Sequence, residues 1–160
     1  MNIIAAFPGV GITEYVTTYP HVAYLDPNSL TFDYQHQSFL DQLRWRIAQG
    51  LFTVVDATPT TLKQLSDAGL EFVLVYPTPK LLTEYQARYL AAPAPHGGAA
   101  YSATMSDVWY LWLATCATQR CFSQLVLTAG ETLVTRLPFH QDPDYILLYP
   151  NANEGDNGEG

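Results

Sequence analysis

The sequence has few positive charges. Its 160 residues include seven Lys and Arg against 15 Asp and Glu, which gives a formal net charge of −8, and the only lysines are Lys63 and Lys80. A protein that binds nucleic acid through a surface patch needs the opposite balance, because the partner is rich in phosphate. The composition therefore argues against direct nucleic-acid binding and favours solubility or a basic protein partner.

Cysteines and long apolar runs are also scarce. The two cysteines, Cys116 and Cys121, lack CxxC spacing, so we expect reduced thiols and no structural metal. The sequence has no run of 18 apolar residues, and its first residues lack a basic region followed by a long apolar stretch. We therefore expect neither a membrane span nor a secretory signal, and a cytoplasmic location.

The apolar residues that are present suffice for one core. Hydrophobic residues make up 48% of the chain and charged residues 14%, which is typical of a folded protein and not of a disordered one. We expect a single domain over residues 1–150. Residues 151–160 are acidic and polar with Gly and Ala, and we expect this tail to be disordered.

Short apolar segments alternate with helical patterns along the chain. The predicted strands are 2–7, 22–25, 51–55, 71–76 and 123–128, and 145–149 is a further candidate at a sheet edge. The predicted helices are 36–49, 59–68, 80–91 and 104–119, with a flexible loop at 92–100. This alternation predicts an α/β domain with three layers, in which a mainly parallel sheet of about five strands has helices on both faces.

Several residues with binding potential directly follow predicted strands. They are the segment Pro8–Thr13, Asp26, Asp56 and the pair Tyr76-Pro77. Parallel α/β sheets bind ligands where the carboxyl ends of their strands meet. We therefore expect these residues to line one edge of the sheet.

The segment after the first strand has most of a phosphate-binding loop, which needs a strand, a Gly-rich turn and a helix. Backbone N–H groups of such a loop surround phosphates, a lysine contacts the β- and γ-phosphates, and a Ser or Thr hydroxyl binds Mg²⁺. Thr13 occupies the hydroxyl position, but Ile12 replaces the lysine and Ala6 replaces the first glycine. The predicted phosphate-binding residues are Pro8, Gly9, Val10, Gly11, Ile12 and Thr13.

Four segments together resemble the small phage-encoded P-loop nucleotide-kinase-like proteins, over roughly residues 2–136. The first is the start of the chain, Ile3–Thr13, which is similar to a strand followed by Phe-Pro-Gly-x-Gly-Lys-Ser/Thr. The others are Tyr24-Leu25-Asp26 with Ser29, then Leu74–Pro77 with Glu84-Tyr85 and Arg88-Tyr89, and finally Asp107–Trp112. The resemblance implies a P-loop NTPase-like fold in a phage protein acting in the host cytoplasm.

The resemblance also implies a ligand and a cofactor. They are ATP or a nucleoside monophosphate together with Mg²⁺, and the Thr13 hydroxyl is at the position that binds the metal. Among the other candidates, Asp26 could hold Mg²⁺ or the acceptor nucleotide, Asp56 could hold Mg²⁺, and Arg88 could contact phosphate. Their structural alternatives are a strand end for Asp26, a cap of the turn for Asp56 and a solvated helix face for Arg88. The departures from the family pattern remove positive charge. Ile12 replaces the lysine, and the family's second lid arginine is absent because Leu90-Ala91 follow Tyr89. Losing such cations removes several kcal/mol of transition-state stabilisation, roughly 10²–10³-fold in rate.

Three functions remain open from the sequence. The first is a kinase-like protein with weak or lost catalysis that retains nucleotide or phosphate binding or serves as a pseudo-enzyme. The second is an acidic interaction module that inhibits a basic host protein such as a defence nuclease. The third is an active nucleotide kinase with a relocated lysine, either Lys63 or Lys80.

Other side chains have both a structural and a functional reading. Aromatic residues of the second half could stack a base or pack in the core: Tyr85, Tyr89, Trp109 and Trp112. Arg44 and Arg46 flank Trp45 on a predicted helix. These three residues could form an interaction patch or a solvated helix face. His96 lies in the predicted loop, where a lid role is the functional alternative. No spacing of His with Ser or Cys suggests a nucleophilic triad.

Overall fold

In the computed structural model, residues 2–26 and 38–138 are described. The strands are β1 Ile3–Ala6, β2 Val22–Leu25, β3 Phe52–Asp56, β4 Val73–Pro77 and β5 Ser123–Leu127. The α-helices are α1 Ile12–Thr18, α2 Phe39–Ala48, α3 Pro59–Asp67, α4 Leu82–Ala91, α5 Ala99–Ala117 and α6 Leu133–Arg136. A single 3-10 turn, Pro79–Leu81, leads into α4.

The five strands form one parallel sheet in the order β2-β3-β1-β4-β5. Every residue of β1 and β4 is buried, as expected for central strands covered on both faces. Helices flank the sheet: α1 packs against α6, and α5 packs against α3, α4 and β4. The α/β class with a parallel five-stranded sheet, predicted from the sequence, is therefore confirmed.

The register places the end of β1 between the ends of β3 and β4. Ala6, the last residue of β1, is paired with Asp56 on one side and with Val75 on the other. The chain leaves the sheet directly after Phe7, whose amide donates to the Val75 carbonyl at 2.9 Å. The Pro8–Thr13 loop thus begins at the centre of the sheet edge, beside the carboxylate of Asp56.

Two predicted helix boundaries are confirmed by their capping geometry. Thr58 accepts a hydrogen bond from the Thr61 amide at 3.1 Å, and Pro59 is the first residue of α3. Gly50 follows α2 with a φ of +74°, and its amide donates to the Ile47 carbonyl. A left-handed residue at this position ends a helix, and glycine adopts it without strain.

The long aromatic helix begins earlier than the sequence pattern predicts. Helix α5 starts at Ala99 and ends at Ala117, so the prediction of 104–119 and the loop prediction of 92–100 are wrong at these boundaries. Gly98, with a φ of +98°, ends the loop, and the Ser102 amide then donates to its carbonyl at 3.0 Å. Alanine is the strongest helix former, so Ala99 and Ala100 continue the helix once that turn is complete.

Pro77 belongs to β4, although the sequence analysis placed the end of that strand before it. Pro77 pairs with Leu127 of β5 at the last position of the strand. The neighbouring Thr78 amide donates to the Leu127 carbonyl at 3.0 Å, so the ladder to β5 does not use the nitrogen of Pro77. That nitrogen faces the other side, where β1 has already ended, and its missing hydrogen costs no ladder bond.

Some predictions lie outside the described residues. They are the edge strand at 145–149, the tail at 151–160 and the position of Ser29.

Candidate functional site

The carbonyl groups of the Pro8–Thr13 loop are held by side chains of α4. The Tyr89 hydroxyl donates to the Pro8 carbonyl at 2.7 Å, and the Arg88 guanidinium donates to the Gly9 carbonyl at 2.7 Å. A side chain on Gly9 would have no space, because an added Cβ would lie 2.9 Å from ring carbons of both Tyr85 and Tyr89. Helix α4 therefore fixes the first half of the loop at close range.

The second half of the loop is fixed by backbone hydrogen bonds. The Val10 carbonyl accepts from the Leu133 amide at 2.9 Å, and the Gly11 carbonyl accepts from the Tyr15 amide at 3.0 Å. Gly9 and Gly11 adopt φ values of +93° and +96°, in the region that favours glycine. These two glycines turn the backbone so that its carbonyls face their partners in the protein.

The amide groups of the same segment are arranged differently. Within the described residues no acceptor is found for five N–H groups, those of Gly9, Gly11, Ile12, Thr13 and Glu14. All five residues line one cavity of about 390 Å³. Successive backbone N–H groups without partners form an anion-binding concavity. The loop wall of the cavity therefore offers hydrogen-bond donors.

The cavity lies at the predicted edge of the sheet. Its size falls within the roughly 300–1,000 Å³ typical of small-molecule sites. The residues that line it are Pro8, Gly9, Gly11, Ile12, Thr13, Glu14, Tyr24, Asp56, Thr58, Arg88, Tyr89, Ala92, His96, Tyr101 and Trp112. Of the predicted site residues, Val10 and Asp26 are not among them, and the Val10 side chain is buried in the core.

Positive charge at the cavity is limited to one side chain. All seven Lys and Arg residues of the chain lie in its described part, and only Arg88 lines the cavity. Neither Lys63 nor Lys80, the candidates for a relocated lysine, is part of the lining. Lys63 instead contacts Asp67 at 2.6 Å on the exposed face of α3. The cavity therefore lacks the cations that neutralise a triphosphate.

The guanidinium of Arg88 is already engaged by the protein. Besides Gly9, it contacts the Glu84 carboxylate at 2.7 Å and the Glu131 carbonyl at 3.0 Å, and it lies 4.4 Å from the centre of the Tyr85 ring. These contacts tie the loop to α4 and to the turn before α6. Arg88 therefore holds the loop in place, and its positive charge is paired with Glu84.

Ile12 occupies the position where a phosphate-binding loop has its lysine. Its side chain is partly buried, packs against the core and lines the cavity. It thus contributes apolar surface next to the free amides, and no cation. Glu14, two residues later, adds a negative charge to the same wall.

Asp56 and Tyr24 form a hydrogen-bonded pair at the ends of β3 and β2. The Tyr24 hydroxyl donates to Oδ2 of Asp56. Burial raises the pKa of the Asp56 carboxyl, the Tyr24 hydrogen bond opposes this, Asp26 adds to the rise and His96 opposes it. Burial and the same hydrogen bond also raise the pKa of Tyr24, so its hydroxyl keeps its hydrogen at neutral pH.

The proposed magnesium ligands are only partly brought together. Thr13 and Asp56 line the cavity and Asp26 does not, and the described residues contain no cluster of three His, Cys, Asp or Glu that could hold a metal ion. Mg²⁺ is often held by one or two carboxylates together with substrate phosphates. Mg²⁺ binding at Thr13, Asp26 and Asp56 therefore stays a prediction.

The aromatic residues divide between the core and the cavity. Tyr85 and Trp109 are fully buried, and the Trp109 indole donates to the Pro79 carbonyl at 2.8 Å. Tyr89 and Trp112 line the cavity, but the Trp112 indole N–H is used by the Ala57 carbonyl at 2.7 Å. Packing therefore accounts for two of the four predicted aromatic candidates, and the other two lie at the site.

Several cavity residues carry no signal in the sequence that predicts a binding role. Tyr24 was assigned only to a strand, and Tyr101 fell within the boundary error of α5. Tyr24 is the next-to-last residue of β2, and its hydroxyl donates to Asp56 at the end of the neighbouring strand β3. His96, for which a lid role was the functional alternative, lines the cavity and makes an edge contact with Tyr101.

The predicted patch on α2 lies elsewhere. Trp45 is 49% exposed and Arg44 is exposed, and neither these residues nor Arg46 lines the cavity.

No protein-family model matches this chain, and no curated protein sequence matches it. The resemblance to phage nucleotide kinases therefore stays a prediction. Across the described ranges, none of the helices combines the length and the apolar character needed to cross a membrane.

Proposed function

We propose that this chain is a catalytically impaired kinase-like protein that binds a nucleoside monophosphate at the Pro8–Thr13 loop without transferring phosphate. The observation that carries the proposal is the arrangement of the loop. Its carbonyls are bound by α4, α6 and α1, while five amides next to the cavity have no partner among the described residues. Such amides would bind the oxygens of one phosphate group.

The charges near the loop favour one phosphate over three. A kinase surrounds the transferring phosphate with Lys, Arg and Mg²⁺. In this cavity the single guanidinium is shared with Glu84, and the lining also contains the acidic residues Glu14 and Asp56. A triphosphate would bring more negative charge than these groups neutralise, whereas the backbone amides alone can stabilise a monophosphate.

Calorimetric titration with a graded set of ligands tests this proposal. The set comprises inorganic phosphate, nucleoside monophosphates and the corresponding triphosphates, each with and without Mg²⁺. We expect binding of at least one monophosphate, weaker binding of its triphosphate, and no phosphoryl transfer between ATP and the bound monophosphate. An absence of heat with every monophosphate would refute nucleotide binding, and transfer at rates typical of kinases would refute catalytic impairment.

The charge balance of the whole chain favours a second function. With 15 acidic and seven basic residues, the protein would attract a basic partner at low ionic strength. We retain capture of a basic host protein, such as a defence nuclease, as the second candidate. It predicts salt-sensitive binding of a basic protein that is unaffected by changes to the loop, so Gly11→Ala would leave the capture intact while it weakens nucleotide binding.

A further inference from the structure

The side-chain hydrogens around the cavity are mostly used within the protein. Four hydroxyl or indole groups that line it each donate to an internal acceptor: Tyr24 to Asp56, Thr58 to Thr61, Tyr89 to Pro8, and Trp112 to Ala57. The Arg88 guanidinium is engaged in the same way. Of the lining side chains that carry polar hydrogens, Thr13, His96 and Tyr101 are the ones with no acceptor among the residues that the structure describes. A hydroxyl that already donates its hydrogen within the protein can only accept a hydrogen bond from a ligand.

Acceptors are concentrated at the carboxyl ends of β2 and β3. One oxygen of Asp56 receives the Tyr24 hydrogen bond, and the other has no hydrogen-bond partner in the described part of the chain. The carboxylate lies in a partly buried position on the cavity wall. A partly buried carboxylate oxygen is stabilised when a donor reaches it.

The charge near this wall decides which donors fit. After burial, which raises the pKa of the Asp56 carboxyl most, Asp26 raises it further, while the Tyr24 hydrogen bond and His96 lower it. A second phosphate placed here would be repelled. A neutral hydroxyl or amino group would not be repelled, and it would donate a hydrogen bond to the Asp56 oxygen that Tyr24 does not contact.

The two walls therefore have opposite hydrogen-bonding character. The donor wall is the Pro8–Thr13 loop, which offers backbone amides. The acceptor wall consists of Tyr24, Asp56 and Thr58, which offer oxygen atoms. The two walls are adjacent, because Asp56 pairs with Ala6 and the loop starts two residues after Ala6. A ligand that suits both has an anionic group and a hydrogen-bond donor a short distance apart.

We propose that Asp56, through the carboxylate oxygen that Tyr24 does not contact, is the specificity-determining residue of this site and accepts a hydrogen bond from a hydroxyl or amino group on the nucleoside part of the bound monophosphate. The inference rests on the proposed function. Carboxylates are the acceptors that proteins use for the amino group of cytosine and for ribose hydroxyls. The site thus selects ligands by their donors at Asp56 and by their phosphate at the loop.

The experiment compares ligands that differ in one donor. AMP and CMP against their analogues that lack the exocyclic amino group vary the base donor alone, and the 2′-deoxy and 3′-deoxy forms of each monophosphate vary one sugar hydroxyl at a time. Calorimetry on the full chain should show a loss of roughly tenfold in affinity when the donor read by Asp56 is removed. The arm that responds identifies whether that donor belongs to the sugar or to the base.

Substitution of the carboxylate gives the decisive readout. Asp56→Asn keeps the shape, and its carbonyl oxygen can take the Tyr24 hydrogen bond while its NH₂ faces the ligand. We expect this variant to lose the preference for the donor-bearing ligand and to bind the partner ligand that lacks the donor equally well or better. Asp67→Asn is the matched control, because that carboxylate lies on the exposed face of α3 with Lys63.

A second variant keeps the test decisive if Asp56→Asn folds poorly. Tyr24→Phe leaves the carboxylate in place with both oxygens free, so the preference for donor-bearing ligands should persist, with a change in affinity of less than about fivefold. Loss of the donor preference in Tyr24→Phe alongside an intact melting transition would overturn the proposal. So would equal binding of all monophosphates by the unmodified protein, although nucleotide binding itself would then stand; failure of every monophosphate to bind would overturn both.

Discussion

The two walls of the cavity are held in different ways. The Pro8–Thr13 loop is fixed through its carbonyls by Tyr89, Arg88 and the Leu133 amide. At the ends of β2 and β3, one side-chain hydrogen bond joins Tyr24 to Asp56, and Tyr24 is 36% exposed. More side-chain and backbone hydrogen bonds therefore hold the donor wall in place than join the side chains of the acceptor wall. Changes to the loop should therefore affect stability first, and changes to Asp56 should affect ligand choice.

The largest effect is expected for Gly9→Ala. The added methyl group would lie 2.9 Å from both tyrosine rings of α4, and the φ of +93° disfavours any residue with a Cβ. We expect a loss of about 2–5 kcal/mol in the free energy of unfolding, from backbone strain and overpacking together. Urea denaturation measures it.

Gly50→Ala is the matched control for Gly9→Ala. Gly50 also has a positive φ, of +74°, but nothing lies within 4 Å of an added Cβ. The free energy of unfolding of Gly50→Ala should fall by only roughly 1–2 kcal/mol, from backbone strain alone. Equal losses in the two variants would show that α4 does not enclose the loop as described.

A smaller loss is expected for Arg88→Ala. The substitution removes donors from the Gly9 and Glu131 carbonyls and leaves Glu84 without its ion pair. We expect a destabilisation of about 1–3 kcal/mol, and only partial recovery in Arg88→Lys, because an ammonium lacks the planar fork of donors. Lys63→Ala, in an exposed pair on α3, should cost less than about 0.5 kcal/mol in the same measurement. Full recovery of stability in Arg88→Lys would contradict the role of Arg88 in joining the loop to Glu84 and Glu131.

Adding a cation to the donor wall should change the ligand preference. In Ile12→Lys, an ammonium would stand at the loop beside the free amides, so triphosphate affinity should rise about tenfold or more and monophosphate affinity less. Calorimetry with ATP and AMP measures both affinities. Ile12→Met, which is long but neutral, should leave the ATP-to-AMP ratio unchanged. An unchanged ratio in a folded lysine variant would argue against phosphate binding at this loop.

The smallest effect concerns acid stability next to the loop. Burial alone would raise the pKa of Glu131, but hydrogen bonds from the hydroxyl and amide of Thr128 and the contact with Arg136 lower it below its ordinary 4.5. A carboxylate with a lowered pKa stabilises the fold above its ordinary pKa and loses that contribution as the pH falls through the lowered value.

Thermal melts between pH 7 and pH 3 test the Glu131 prediction. Glu131→Gln should melt lower than the unmodified protein at pH 7, and the difference should shrink below about pH 4.5. Glu71→Gln, at an exposed position before β4, serves as the control and should show no such dependence. A difference between Glu131→Gln and the unmodified protein that stays constant across this range would contradict the assignment.

The sequence predicted the strands and the loop because their signals are local. Continuous apolar segments such as Ile3–Ala6 and Val73–Tyr76 indicate buried parallel strands, and the glycines after β1 indicate a turn at the sheet edge. The beginning of α5 was misplaced because the Pro- and Gly-containing loop before it extends to Gly98, and the alanines that follow gave no cap signal. Helix α6 was not predicted, since four residues carry too little periodicity.

The sequence by itself determined the parallel α/β fold, the glycines of the loop and the absence of a lysine at Ile12, because each follows from residue type and spacing. Only the tertiary structure decided what surrounds the loop. It brought Arg88 to the Gly9 carbonyl across 79 positions and Tyr24 to Asp56 across 32. The sequence does not specify such contacts locally, since they depend on which strands become neighbours and on how α4 packs against the end of β1. The donor and acceptor walls of the cavity arise from that packing.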